Sequence, residues 1–117
     1  MFPPVYRTLR TPAVIALVGE RIGRHGEVPQ GTPASYITWQ LINGNPFDTL
    51  SETPQGDNFT LQIDCYASTD GGIETLASAV RDALDAAGVT NRIVINGREA
   101  ETRLYRVGFE ADFIASR

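Results

Sequence analysis

Lysine is absent from this 117-residue chain, and cysteine, histidine, tryptophan and methionine occur once each. Each scarcity removes a class of function. The lone Cys65 excludes an intramolecular disulfide and a multi-cysteine zinc site. It falls on the apolar side of a strand pattern, where a thiol behaves as a small hydrophobe. The lone His25 sits between Arg24 and Gly26 with no second histidine or cysteine nearby to share a metal. No Gly-x-Ser-x-Gly motif is present that would use it as a base. Walker and Gly-x-Gly-x-x-Gly patterns are missing too. Asp70-Gly71-Gly72 therefore reads as a turn with a helix N-cap drawn from Ser68, Thr69 or Asp70, not as an anion cradle. No cofactor and no metal are expected. No apolar run approaches the length of a membrane crossing. The opening residues lack a basic start followed by a long apolar segment, so neither a signal peptide nor a membrane partner is expected. All ten basic residues are arginines, scattered along the chain as a bias in codon usage would leave them, and the formal charge is −4. That argues against a nucleic-acid binder working through a basic surface.

What is present is alternation and helical spacing. Phe59, Leu61, Ile63 and Cys65 fall on every second position, so one face of a strand is buried and the other is polar. After Ser68 to Gly72 the period changes: Ile73, Leu76, Ala77, Val80, Leu84 and Ala87 recur at helical spacing, and Gly88 closes the run. Arg81 and Asp85 are placed to pair on the outer side of that helix. Upstream, residues 1–9 read as a short helix that tolerates Pro3 and Pro4 in its first turn. Thr11 and Pro12 start a second helix that ends at Gly19. Residues 20–35, rich in glycine and proline, read as loop. Residues 36–42 form the first clear strand, with Ile37, Trp39 and Leu41 facing the core and the Asn43-Gly44-Asn45-Pro46 run stopping it. A long polar connection then leads to the strand at Phe59. Residues 92–95 form a short strand, Asn96-Gly97 is a strong turn signal, and the polar hairpin tip extends through Arg98 to Arg103. The alternation of Tyr105, Val107, Phe109, Ala111 and Phe113 marks the final strand.

The sum is an α+β, two-layer domain over residues 1–117: a mostly antiparallel four-stranded sheet with helices packed on one face. Nothing in it converges on chemistry. Glu99 and Glu101 with Arg98 and Arg103 make a charged cluster, but exposed carboxylates lack the burial that tunes a general acid or base. Aromatic residues on the sheet could suggest base stacking, yet Trp39 shares its face with Ile37 and Leu41 and reads as core.

The opening Phe2-Pro3-Pro4-Val5-Tyr6-Arg7-Thr8-Leu9, the run from Val14 to Ile22 and the strand Tyr36-Ile37-Thr38-Trp39 resemble the tail-completion, or tail-terminator, family of long-tailed bacteriophages and related gene-transfer particles. The likeness continues through Leu61 to Ala67, Leu76 to Leu84, Leu104 to Val107 and the final strand. One departure is that Ala34 and Ser35 separate Pro33 from Tyr36, where the family often has proline directly before the aromatic. The resemblance implies a structural virion protein and not an enzyme. It implies a ring, usually a hexamer, at the head–tail junction, assembled in the host cytoplasm. Such a ring caps the head-proximal end of the tail tube, ends its elongation and joins it to the head connector. Its partners would be further copies of itself, the tail tube protein and a head-completion or connector protein. DNA would pass through the lumen without sequence-specific binding. The long polar connections are the expected contacts with neighbours or tube: Asn45, Asp48, Glu52, Gln55 and Asp57 in one, Arg98, Glu99, Glu101 and Arg103 in the other. A head-closure or minor virion protein, or a small ligand-binding or regulatory module, are the alternative readings.

Overall fold

The computed structural model describes residues 2–27, 35–46 and 56–116. The elements run α1 (Val5–Leu9), α2 (Pro12–Val18), β1 (Ile22–Arg24), β2 (Tyr36–Pro46), β3 (Gly56–Ala67), α3 (Asp70–Ala86), β4 (Thr90–Arg98) and β5 (Tyr105–Ser116). The strands make one five-stranded sheet in the order β1-β2-β3-β5-β4. This corrects the expected four-stranded antiparallel sheet. β1 adds a parallel edge by pairing Ile22–Arg24 with Ile37–Trp39, which makes the sheet mixed. Three residues carry too short a pattern to announce a strand; Ile22 is drawn in by burial and by pairing with a strand far ahead in the chain. The rest of the sheet is antiparallel.

The helices form where their caps and apolar stripes place them. Thr11 accepts a hydrogen bond from the Val14 N–H, Pro12 occupies the first turn of α2, and Gly19 closes it at φ 59° with its N–H on the Ile15 carbonyl. The Arg21 side chain then bridges the Leu17 and Ser35 carbonyls, tying the end of α2 to the start of β2. α1 starts only at Val5, later than expected, because Pro3 and Pro4 precede its first turn. Thr69 is the N-cap of α3, accepting from the Gly72 N–H at 3.0 Å. Asp85 does not pair with Arg81; it accepts from the Asn91 side chain at 2.8 Å and so holds the end of α3 to β4.

The core lies between the helices and one face of the sheet. Val5, Leu9, Val14 and Val18 from the two short helices and Ile73, Leu76, Val80 and Leu84 from α3 meet Ile37, Phe59, Leu61, Ile63, Cys65, Val107, Phe109 and Phe113. The small Ala79 and Ala83 let α3 lie close to the sheet. Each fully buried aliphatic or aromatic side chain here contributes about 1.5–3 kcal/mol. Trp39 packs at the margin of this core, partly buried. Cys65 is fully buried, as its position in the alternation required.

Two turn signals are overruled. The Asn43-to-Pro46 run does not stop β2; a bulge at Ile42 shifts the register and pairing continues from Asn43 opposite Thr60 to Pro46 opposite Asp57. Gly44 is needed there, since a Cβ would come within 2.9 Å of the Phe59 ring. Asn96 and Gly97 also lie inside a strand, opposite Val107 and Arg106. Burial of Phe109 and a bulge at Val94 set the β4–β5 register, which moves the turn on to the residues after Arg98. Phe109→Ala is expected to cost about 3–5 kcal/mol, measured by urea unfolding. Ile114→Ala, at a side chain 72% exposed, should stay within about 0.5 kcal/mol of the parent.

Candidate assembly surfaces

The antiparallel register decides where the two expected contact segments sit. Gly56 pairs with Ser116, and Ala67 pairs with Tyr105 at the far end of the same twelve-residue strands. The β2–β3 connection therefore leaves one end of the sheet and the β4–β5 tip leaves the other. At about 3.4 Å per residue the ends are separated by roughly 40 Å. Asn45 lies in the last part of β2, exposed, with its amide on Asn43. Asp57 is a correction to the loop assignment: it lies in β3, largely buried, opposite Pro46 and Ala115. Asp48, Glu52 and Gln55 fall outside the described residues.

At the opposite end Arg98, Glu99, Glu101 and Arg103 do come together in one tip. The Arg103 N–H donates to the Glu99 carbonyl and the Glu99 N–H to the Leu104 carbonyl, both at 2.9 Å. The Thr102 hydroxyl donates to the Glu99 carboxylate, and Arg98 Nε donates to the Arg103 carbonyl. Arg103 takes φ 60°, the one non-glycine residue with positive φ among those described. The Arg98 guanidinium lies 5.0 Å from the Tyr105 ring centre. The tip is thus ordered by its own hydrogen bonds and displays Glu101 and Arg103 to solvent.

Beneath that tip is a group that the alternation pattern does not reveal. Leu104 is buried on the face of the sheet opposite the helices, against Tyr36 and Tyr66. The two tyrosine rings stack at 4.6 Å, 17° from parallel. Beside them Arg106 makes a two-pronged contact with Asp64, Nε to Oδ1 at 3.3 Å and Nη2 to Oδ2 at 3.1 Å, and Gln62 donates to the same carboxylate. The Asp64 side chain is only 3% exposed. Gly108 is essential to this packing: a Cβ there would lie 2.7 Å from Asp64 Oδ1 and 3.1 Å from Ile95. Further along the same face Arg92 pairs with Glu110 at 2.8 Å and with Asp112 at 3.2 Å, and Asp112 also accepts from Thr60. Only knowledge of the register brings these partners together, since Asp64 and Arg106 are 42 residues apart.

No group of three or more metal-ligating side chains occurs among the described residues. His25 is exposed at the β1 margin, with its backbone N–H on the Trp39 carbonyl. Burial pushes the Cys65 thiol far up from its ordinary value, which makes it a poor nucleophile at neutral pH.

The family model for tail completion protein gp17 matches residues 3–115. The chain belongs to that family. Its members are structural components of tails, and this chain is a tail completion protein of α+β fold. A chain in the solved structure of a virion of a native gene transfer agent particle is similar to it, with a TM-score of 0.65 and 24% sequence identity over 95% of this chain and 92% of that one. That likeness extends the fold across nearly the whole tail completion domain. No curated protein sequence matches the chain.

The buried tyrosine pair gives the fold of this family member a pH signature. Burial first, then the Asp64 carboxylate, raises Tyr66 from the ordinary 10 to about 12. In the unfolded chain Tyr66 ionises near the ordinary value, so its contribution to stability is intact below pH 10 and is lost as pH rises toward 12. Denaturant midpoints measured between those limits should fall with pH in the parent, and Tyr66→Phe should flatten part of that slope.

Proposed function

We propose that this tail completion protein is a structural virion protein, without enzymatic activity, that forms a hexameric ring at the head–tail junction. The ring caps the head-proximal end of the tail tube, ends its elongation and joins it to the head connector. The observation that supports this reading best is that the strand ends leading into the β2–β3 connection and the β4–β5 tip lie at opposite ends of one sheet, in a chain whose family completes tails. A subunit that must touch a tube on one side and a connector on the other needs two separated contact ends. A tip ordered by internal hydrogen bonds loses little conformational entropy on binding. Residues Asn45, Asp48, Glu52, Gln55 and Asp57 belong to one end of this arrangement, and Arg98, Glu99, Glu101 and Arg103 to the other. The remaining surface suits the same role. On the open sheet face Arg106 is answered by Asp64, and Arg92 by Glu110 and Asp112. A face whose arginines are already paired, on a chain of net charge −4, offers a passing DNA duplex little to hold. The head–tail junction of the virion is the location, and assembly takes place in the host cytoplasm before head and tail join.

Two variants test the assignment of the ends. One replaces residues 48–55 by a short glycine-serine linker; the other is Glu101→Ala with Arg103→Gly, which keeps the positive φ accessible. Both should fold with parental circular dichroism. Each should reduce the yield of complete particles about tenfold or more, the factor that corresponds to 1.4 kcal/mol of lost contact energy. Electron microscopy should show over-long or unjoined tubes. Normal tube length and normal joining in both variants would contradict the assignment.

A further inference from the structure

Two apolar grooves lie at opposite margins of the helix-bearing side of the sheet. One, of about 310 Å³, runs between α3 and the edge strand β4. Its floor is Ile93, Val107 and Phe109, and Asp70 and Glu74 stand at its rim, with Arg81 further along the helix. The other, of about 320 Å³, opens between the N-terminal segment and the β1–β2 margin. Phe2, Trp39 and Leu41 wall it and Arg24 and His25 stand at its lip. The Arg24 guanidinium is stacked 4.9 Å from the Trp39 ring centre, and the Glu27 carboxylate is turned onto the Arg24 backbone N–H.

These margins hold most of the large apolar side chains that are exposed among the described residues. Ile93 is 48% exposed and Val94 46%, on an edge strand whose outer side pairs with no strand among the described residues. Leu41 is 44% exposed and Ile42 45%, on the part of β2 that runs beyond its pairing with β1. Long unpaired edges bearing aliphatic residues, with no lysine or proline in β4 to guard them, are surfaces that a stable protein covers.

We infer that the two margins are the two halves of one contact between copies of this chain, the acid-rimmed α3–β4 groove of one subunit receiving the Arg24–Trp39–Leu41 margin of the next. The charges support the pairing: Asp70 and Glu74 at the rim of the α3–β4 groove are met by Arg24 on the other margin, whereas two such grooves face to face could answer their acids only with Arg81 at the far end of the lining. The apolar parts match in kind, aliphatic floor to aromatic and aliphatic wall. Because the margins lie on opposite edges of the sheet, a subunit can use both at once. A contact of this head-to-tail kind repeats until it closes into a ring. The inference rests on the ring reading above and names the surfaces that build the ring.

Thiol crosslinking in assembled particles tests it. Cys65 is fully buried, so the reactive thiols of this chain come only from the substitutions. Ser78→Cys lines the α3–β4 groove and His25→Cys the opposite one, and neither removes the charges that guide the contact. Purified particles carrying the double variant, treated with a short bismaleimide, should give a ladder of crosslinked oligomers on a denaturing gel. Particles with either single variant should give monomer only. Self-crosslinking of a single variant would reveal a two-fold contact and overturn the inference. So would an unladdered double variant in particles that contain the protein in ring stoichiometry. A single copy per particle would refute the ring reading itself and is read separately, from the ratio of this protein to tube protein. A charge reversal adds an independent arm: Glu74→Arg should lower incorporation about tenfold, equivalent to 1.4 kcal/mol, and Arg24→Glu in the same chain should restore it. Failure of that restoration in a folded double reversal would count against the pairing.

Discussion

Strand β3 has both of its faces and both of its edges occupied, and the rest of the molecule depends on that constraint. β2 pairs along one edge and β5 along the other, each over nearly the full length of the strand. One face carries Phe59, Leu61, Ile63 and Cys65 into the core beneath the helices. The other carries Thr60, Asp64 and Tyr66 to partners on β5, and Gln62 to the Asp64 carboxylate on its own strand. A one-residue slip would send each set to the wrong side. The register is therefore strongly specified. With it come the bulges in β2 and β4, the position of the tip after Arg98 and the separation of the two sheet ends.

The polar layer shows how an open sheet face can be ordered without a second layer of helices. Asp64 is a buried carboxylate, and a buried carboxylate is tolerable only with its partners in place. Arg106 supplies two hydrogen bonds, Gln62 supplies more, and Gly108 leaves the room. Leu104 and the stacked Tyr36 and Tyr66 complete a small apolar cluster that anchors the β4–β5 tip. The tip is held at its base by packing and within itself by hydrogen bonds.

Much of the architecture was legible in the chain. The three helices, the two hairpins and the helix-bearing face follow from the alternation at Phe59 to Cys65 and Tyr105 to Phe113, the stripe from Ile73 to Leu84, and the caps Thr11 and Gly19. What was not legible depends on partners remote in sequence. β1 is too short to show a period and forms only because β2 lies beside it. Asn43 to Pro46 and Asn96-Gly97 have strong turn chemistry, but cross-strand pairing outweighs local preference. For the same reason Asp57, loop-like by its polar neighbours, lies in β3. Of the candidate contact residues, Arg98, Glu99, Glu101 and Arg103 do share one tip, while Asn45 and Asp57 lie at the other end of the sheet. The exposed Ile93, Val94, Leu41 and Ile42 could not be distinguished from core residues by hydropathy, because only the sheet order makes their strands edges.

The proposed contact ends and the inferred margins together describe a tail completion protein built to be one part of an assembly. In the proposed function the ends would serve stacking between tube and head, and in the inferred contact the margins would serve closure around the axis. Cryo-electron microscopy of the neck of purified particles tests this account most directly. It predicts a single hexameric ring of this fold between the last tube ring and the head connector, with the α3–β4 groove of each subunit against the β1–β2 margin of its neighbour. Density for this fold elsewhere on the particle, or a ring at the neck built from a different protein, would contradict it.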